Sequence, residues 1–198
     1  MAQGPELDTQ ALVRAAQAGD VERFSELYER LAPSLCAWAS LRIRPAQRAL
    51  VDPEDVVAEV WVRAWKAFSE FDAQSSFRAW IFRIGKNVLL ECFRRTRGRS
   101  AAGGPTTRVL QLANLPDSAT QLSRRVARHE GVANLLEWVS ALDAEQRELV
   151  LHCGFEGLSY AEAAERLGLQ RDTVAKRWQA LRERLARFAE AQGLALLD

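Results

Sequence analysis

The stretch LSYAEAAERLGLQRDTVAKRWQALRERL, Leu158 to Leu185, decides how the chain is read. It divides at Gly168 into two helical segments. Ser159 followed by Glu162 is a capping box that opens the first, and a glycine just past the last periodic residue closes it. The second helix starts near Gln170. Tyr160, Ala163, Ala164 and Leu167 recur at helical spacing and are placed to pack against Val174, Trp178 and Leu181. The paired alanines let two helices approach closely. This is helix-turn-helix spacing: the second helix offers its N-terminal half to a major groove, and flanking positive charge meets phosphates. A plain helical hairpin without a DNA role is the competing reading of this segment taken alone.

The positive charge is local. The 198-residue chain carries a net charge of +1, so nothing global draws it to a polyanion. Between Arg171 and Arg187, however, six basic residues face two acids, a net of +4. Between Ser75 and Arg99 seven basic residues face one acid, a net of +6. Asp52 to Glu59 holds four acids and no base, and Ala141 to Glu165 holds six acids and one base, a net of −5. Charge is sorted by element in both halves. One basic run is as well explained by a solvated face; two basic helices, one in each half and close to aromatics, favour nucleic acid.

The rest of the chain also reads as helix, with apolar residues recurring at three and four and no alternating strand pattern. Leu12 to Ala18 predicts a short first helix closed by Gly19. Asp20 is placed to cap a second, with the stripe Val21, Phe24, Leu27, Tyr28 and Leu31, kinked or broken at Pro33 and ending near Ile43. Asp52-Pro53-Glu54-Asp55 is a helix start: a cap, a proline at the first helical position, and carboxylates at the positive end of the dipole. Its stripe is Val57, Val60, Trp61, Ala64, Trp65 and Phe68, with Trp65 and Trp80 expected in the core. Ser75 or Ser76 caps the next helix, Phe77 to about Arg95, with Phe77, Ile81, Ile84, Val88 and Cys92 on its apolar side. From Gly98 to Ser123, Gly-Gly-Pro, Leu-Pro-Asp and weak periodicity predict a flexible linker. A second helical unit starts near Arg124, with Asp143 and Gln146 as a further capping pair. The core is expected to divide between two bundles.

Several classes of function are excluded or weakened. There is no phosphate-binding glycine loop, no dinucleotide fingerprint, no zinc-protease motif and no nucleophile elbow. His129 and His152 read as surface or packing residues. Cys36, Cys92 and Cys153 are odd in number and far apart, so they read as free thiols in a reducing compartment. No catalytic residue, metal ligand or cofactor site is expected. No apolar run approaches a membrane span and the N-terminus lacks a signal pattern, so membrane insertion is not expected and a cytoplasmic location is.

The segment DPEDVVAEVWVRAWKAFSEFDAQSSFRAWIFRIGKNVLLECFRR, Asp52 to Arg95, resembles domain two of the bacterial extracytoplasmic-function (ECF) sigma factors. LDAEQRELVLHCGFEGLSYAEAAERLGLQRDTVAKRWQALRERL, Leu142 to Leu185, resembles their domain four, and GDVERFSELYERL, Gly19 to Leu31, resembles their opening helix. The three occur in the family's order and spacing. The resemblance implies an all-α protein of two helical domains, residues 8–97 and 124–190, joined by a linker at 98–123. It implies a promoter-recognition subunit of RNA polymerase, not an enzyme. Asp52, Glu54, Asp55 and Glu59 match the motif that docks on the clamp helices of the largest polymerase subunit, and exposed carboxylates would suit an arginine-rich partner. Asp72, Ser75, Ser76 and Phe77 match the −10 reader, where a base is flipped out, with Arg83, Lys86, Asn87 and Arg94 along the DNA. Arg171, Thr173, Lys176, Arg177, Gln179 and Arg182 match the family's −35 recognition helix, in which Lys176 and Gln179 would reach base edges. Ala175 departs from the family, where Arg or Lys is frequent.

The acidic stretch from Asp143 to Glu165 would face the flap of the second-largest subunit, and the linker would thread the active-site cleft. Core RNA polymerase, promoter DNA and an anti-sigma factor are the expected partners. The ending at Asp198 predicts no further domain. The competing readings are a stand-alone DNA-binding regulator, an enzyme or RNA-binding protein with an incidental helix-turn-helix, and a degraded decoy. The acids at Asp52 to Glu59 weigh against the first, the missing catalytic groups against the second, and the intact charged faces against the third.

Overall fold

Local signals set the start of most helices. The computed structural model describes residues 8–102 and 130–192. Among the described residues there are eight α-helices and no strand. Helix α1 spans Thr9–Gln17 and is capped by Asp8, whose Oδ1 accepts from the Ala11 N–H at 2.6 Å. Helix α2 runs Val21–Arg42 without a break at Pro33, where the sequence suggests a kink or break. Everything from Ser34 to Ala39 is buried, so packing on all sides outweighs the backbone hydrogen bond that proline forfeits. Asp20 occupies the N-cap position of α2 without making a side-chain cap; its carboxylate lies 3.4 Å from Arg23. Val21 is 60% exposed and starts no buried stripe.

Helix α3, Pro53–Ala67, opens as its sequence dictates, Asp52 accepting from the Glu54 N–H at 3.0 Å. Helix α4, Phe77–Ala102, is capped by Ser76, whose Oγ accepts from the Ala79 N–H at 3.2 Å. It continues beyond Arg95 and through the first five positions of the expected linker. The remaining linker positions, the helix onset near Arg124 and His129 lie outside the described residues. Trp65, expected in the core, is 52% exposed, although it meets Phe24 at 4.8 Å between ring centroids. Trp80 is half-buried against Phe71 and Phe77.

The second half comprises α5 (Glu130–Ser140), α6 (Ala144–Leu149), α7 (Tyr160–Leu167) and α8 (Arg171–Ala191). Asp143 caps α6, accepting from the Gln146 N–H at 2.8 Å. The chain then winds into a π-turn over Val150–Phe155, the Glu156 N–H reaching back to the Leu151 carbonyl at 3.0 Å. Such wide turns insert a residue into a helix and often mark functional places. Both halves of the Ser159–Glu162 capping box are present. Gly168 closes α7 in the left-handed region at φ +66°, where a Cβ would be strained. Gly154 has a different reason to be small: a Cβ there would lie 2.9 Å from the Trp178 ring of α8. Ala163, Ala164, Val174, Trp178 and Leu181 are buried as the sequence requires, but Tyr160 stays 36% exposed.

The core does not divide in two. Buried side chains of both halves form one contiguous cluster, with α5 packed on α2. A seam joins the π-turn to α2 and α4. Phe155 and Phe82, both essentially buried, meet at 6.0 Å between centroids, and each contributes about 1.5–3 kcal/mol of burial. The buried Arg78 guanidinium donates to the Gly154 carbonyl at 3.0 Å. Glu156, with its side chain only 7% exposed, accepts from Arg42 Nε at 2.9 Å and Trp38 Nε1 at 3.1 Å. His152 Nδ1 lies 3.1 Å from Glu156 and 3.2 Å from Arg42, and Arg166 approaches Glu156 at 3.4 Å. Burial raises the Glu156 pKa, but the bond with His152, the Arg42 charge and the Trp38 bond outweigh it and bring the carboxyl down to about 2.

Candidate functional site

Helix α8 presents the clearest candidate surface. Val174, Trp178, Leu181 and Leu185 are buried along one side. Lys176 and Gln179, both exposed, lie on the opposite side, about 60° apart at about 100° per residue. Thr173 and Arg177 sit on one shoulder of that face, Arg171 and Arg182 on the other. A lysine and a glutamine projecting side by side have the donors and acceptors that base edges in a major groove require. Arg177 differs from its neighbours: its guanidinium is ion-paired to Glu145 of α6. Arg184 points back toward the protein, its guanidinium 5.8 Å from the centroid of Trp138.

The second candidate surface begins at the loop before α4. Asp72 is exposed and folds the loop on itself: Oδ1 accepts from the Gln74 N–H at 2.9 Å and Oδ2 from the Ser75 hydroxyl at 3.3 Å. Gln10 of α1 reaches the Ser75 carbonyl at 3.5 Å. Asp72, Ser75 and Ser76 therefore form one exposed, polar, tightly turned edge. Phe77 does not join it. Its ring is 3% exposed and packs against Phe68, Phe71 and Trp80, so in this structure it supports the loop from beneath and presents no stacking surface. Beyond the loop, Arg83, Asn87 and Arg94 line one face of α4 within about 40° of each other, with Lys86 at its edge. All four are exposed. Leu90, 42% exposed, lies in the middle of the same strip.

The third surface is the start of α3. Asp52, Glu54 and Glu59 are partly accessible, whereas Asp55 is 3% exposed and belongs to the interior. The expected row of four accessible carboxylates is a row of three. Glu59 accepts from Arg63 Nε at 2.7 Å, and the other end of the Arg63 guanidinium forks onto Glu91 of α4 with two bonds of 2.8 Å. That fork holds the Glu91 carboxyl below the ordinary glutamate range.

The acidic stretch from Asp143 to Glu165 is largely engaged within the chain. Asp143 and Glu162 cap helices, Glu145 holds Arg177, Glu148 lies 3.6 Å from Arg42, and Glu156 is in the seam. His152 is buried there as a packing and hydrogen-bonding residue. Residue-by-residue reading missed Trp38, Arg42, Arg78 and Glu156 as a group. One signal pointed to them: the all-round apolar run of α2 from Leu35 to Ala39, which requires cover on more sides than a small bundle supplies. The cysteines are free; burial raises the Cys36 thiol to about 12 and those of Cys92 and Cys153 to about 11. None of the described helices is long and apolar enough to cross a membrane.

Comparison with known proteins shows likeness over most of the chain. A family profile described as ECF sigma factor matches residues 7–191. RNA polymerase sigma factor NccH of Alcaligenes xylosoxydans xylosoxydans is 29% identical over 187 residues, covering 94% of this chain and 97% of that one. RNA polymerase sigma factor CnrH of Cupriavidus metallidurans is 30% identical over 189 residues, with coverages of 94% and 97%. ECF RNA polymerase sigma factor SigC of Mycobacterium tuberculosis is 30% identical over 141 residues, 71% of this chain and 72% of that protein. Among solved structures, CnrH in complex with the cytosolic domain of CnrY matches with 27% identity, 92% and 97% coverage and a TM-score of 0.41. The chain belongs to the ECF sigma factor family.

Proposed function

We propose that this chain directs core RNA polymerase to promoters by reading two DNA elements with two separate helical faces. Residues 8–97 act as the unit that docks on polymerase and reads the −10 element. Residues 124–190 read the −35 element, and 98–123 connect them. Asp52, Glu54 and Glu59 meet the clamp helices of the largest polymerase subunit. Asp72, Ser75 and Ser76 hold the flipped −10 base, and Arg83, Lys86, Asn87 and Arg94 follow the DNA. Lys176 and Gln179 read −35 bases; Arg171, Thr173 and Arg182 contact its backbone. The chain contributes recognition and melting, while bond formation belongs to the polymerase. An anti-sigma factor is the regulator that family resemblance implies, and the cytoplasm is the compartment in which polymerase is met.

The observation that carries this reading is the face of α8: two base-competent side chains directly opposite the buried stripe, flanked on both shoulders by groups suited to phosphate. Incubating the full chain with bacterial core RNA polymerase and genomic DNA, then sequencing the transcripts, tests it. Start sites clustered behind a shared pair of elements are expected. A chain that binds −35 duplexes alone and never confers specific initiation would be a stand-alone regulator, and the reading would fall.

A further inference from the structure

We propose that Arg63 is a positioning residue for polymerase docking: braced on Glu91 of α4, it holds the Glu59 carboxylate of α3 in the orientation that the partner meets. This inference rests on the docking part of the reading above and gives a role to a residue that the reading leaves unused.

The geometry carries the argument. Glu59 and Arg63 stand one turn apart on α3, and Glu91 faces them from α4, which packs against it. One guanidinium serves both carboxylates. Its Nε donates to Glu59 Oε1 at 2.7 Å, and its two terminal nitrogens donate to Glu91 Oε1 and Oε2 at 2.8 Å each. A two-pointed fork fixes the guanidinium in rotation as well as in place. Glu59 is thus held by a group that is itself held. Its Oε2 makes no hydrogen bond among the described residues and stays available to an incoming cation.

The charges support the same reading. The Glu91 bond outweighs burial and raises the Arg63 pKa, and the Arg63 bond in turn lowers that of Glu91, so the group stays fully ionised. Arg95 lies 3.8 Å from Glu91, so two guanidinium groups balance two carboxylates. Exposed pairs of this kind add little stability; what the arrangement sets is direction. A glutamate that is already held loses less side-chain freedom when a partner binds it. A lysine at this position would supply charge without the fork. Glu91 also lies about 40° from Asn87 and about 60° from Arg94 around α4, at about 100° per residue. The brace therefore registers the docking carboxylate against the strip proposed to follow DNA.

The test is the affinity of the full chain for bacterial core RNA polymerase, without DNA, for single and paired substitutions. Arg63→Gln should weaken binding by roughly threefold to tenfold, the cost of ordering one long side chain at the interface, with helical circular dichroism retained. Glu91→Gln should weaken it by a smaller factor, and Arg63→Lys should fall between the unaltered chain and Arg63→Gln. The decisive readout is the pair: Glu59→Gln should cost less affinity in the Arg63→Gln background than in the unaltered chain, because the carboxylate removed there is no longer held. Arg63→Lys takes the same place in the pair should Arg63→Gln fail to fold. A merely structural Arg63 would lower the melting temperature and leave the cost of Glu59→Gln equal in both backgrounds. Equal costs, or tighter binding by Arg63→Gln as Glu59 is released, would overturn the positioning role and leave the docking reading standing. No effect of Glu59→Gln in the unaltered chain would sink the docking assignment of Glu59, and this inference with it.

Discussion

The two surfaces proposed to read DNA are made in opposite ways. On α8 the proposed reading residues and the packing residues occupy opposite sides of one helix, so either set can change with little effect on the other. At the loop before α4 they are interleaved: Ser75 and Ser76 are exposed, Phe77 and Arg78 immediately after them are buried, and the same few residues hold an aromatic cluster, a helix cap and the seam. A surface of the first kind can vary its specificity freely. One of the second kind ties recognition to stability and to the arrangement of the halves.

The sharpest way to break this contrast is Phe77→Ala. Loss of a buried ring from the Phe68–Phe71–Trp80 cluster should cost about 3–5 kcal/mol in chemical denaturation. Unchanged stability with altered −10 preference would make Phe77 a reader after all and erase the difference between the two surfaces. Next in size is the pH dependence of the seam. The Glu156 carboxyl is lowered to about 2, so its contribution is complete above the unfolded pKa near 4.5 and is lost as pH falls from there toward 2. Over that window the unaltered chain should lose on the order of 2 kcal/mol relative to Glu156→Gln, allowing for solvent screening. Parallel denaturation midpoints for the two proteins across the range would remove the charge from the seam.

On α8, Lys176→Ala and Gln179→Ala should each cost about 1–3 kcal/mol at single −35 positions while the melting temperature holds. Selection from randomised −35 sequences reads this, and uniform weakening at every position would move both residues to the phosphate class. Arg171→Ala supplies the contrast, with weaker binding to all sequences and a salt slope smaller by about one. The smallest expected effect is Ser159→Ala, about 1 kcal/mol of stability from the lost cap of α7. A much larger loss would mean that the helix-turn-helix leans on its neighbours more than its local signals suggest.

Those local signals explain what was legible. Asp52-Pro53, Ser76, Asp143, the Ser159–Glu162 box and Gly168 each act within a few residues, and each starts or stops a helix as its chemistry requires. The exposure of Lys176 and Gln179 was legible because one helical period separates what is buried from what is not. The errors have a common cause in tertiary packing. The helix continues past Pro33 because α2 is covered all round from Ser34 to Ala39, Trp65 stays half exposed although it falls on an apolar stripe, and Asp55 is enclosed although it stands in an acidic run. The seam was hardest to foresee. Arg42 and Glu156 are 114 residues apart, and each looks like an ordinary surface charge until the other is beside it.

The π-turn at Val150–Phe155 sets the phase of the segment that follows it. Its extra residue advances everything after Leu149 by about 100° relative to an uninterrupted α-helix, and that phase aims Phe155 and Glu156 at α2 and α4. Deleting a single residue there would restore regular winding and swing both side chains aside with their chemistry untouched. The orientation of the helices after this turn thus depends on one surplus backbone hydrogen-bond step.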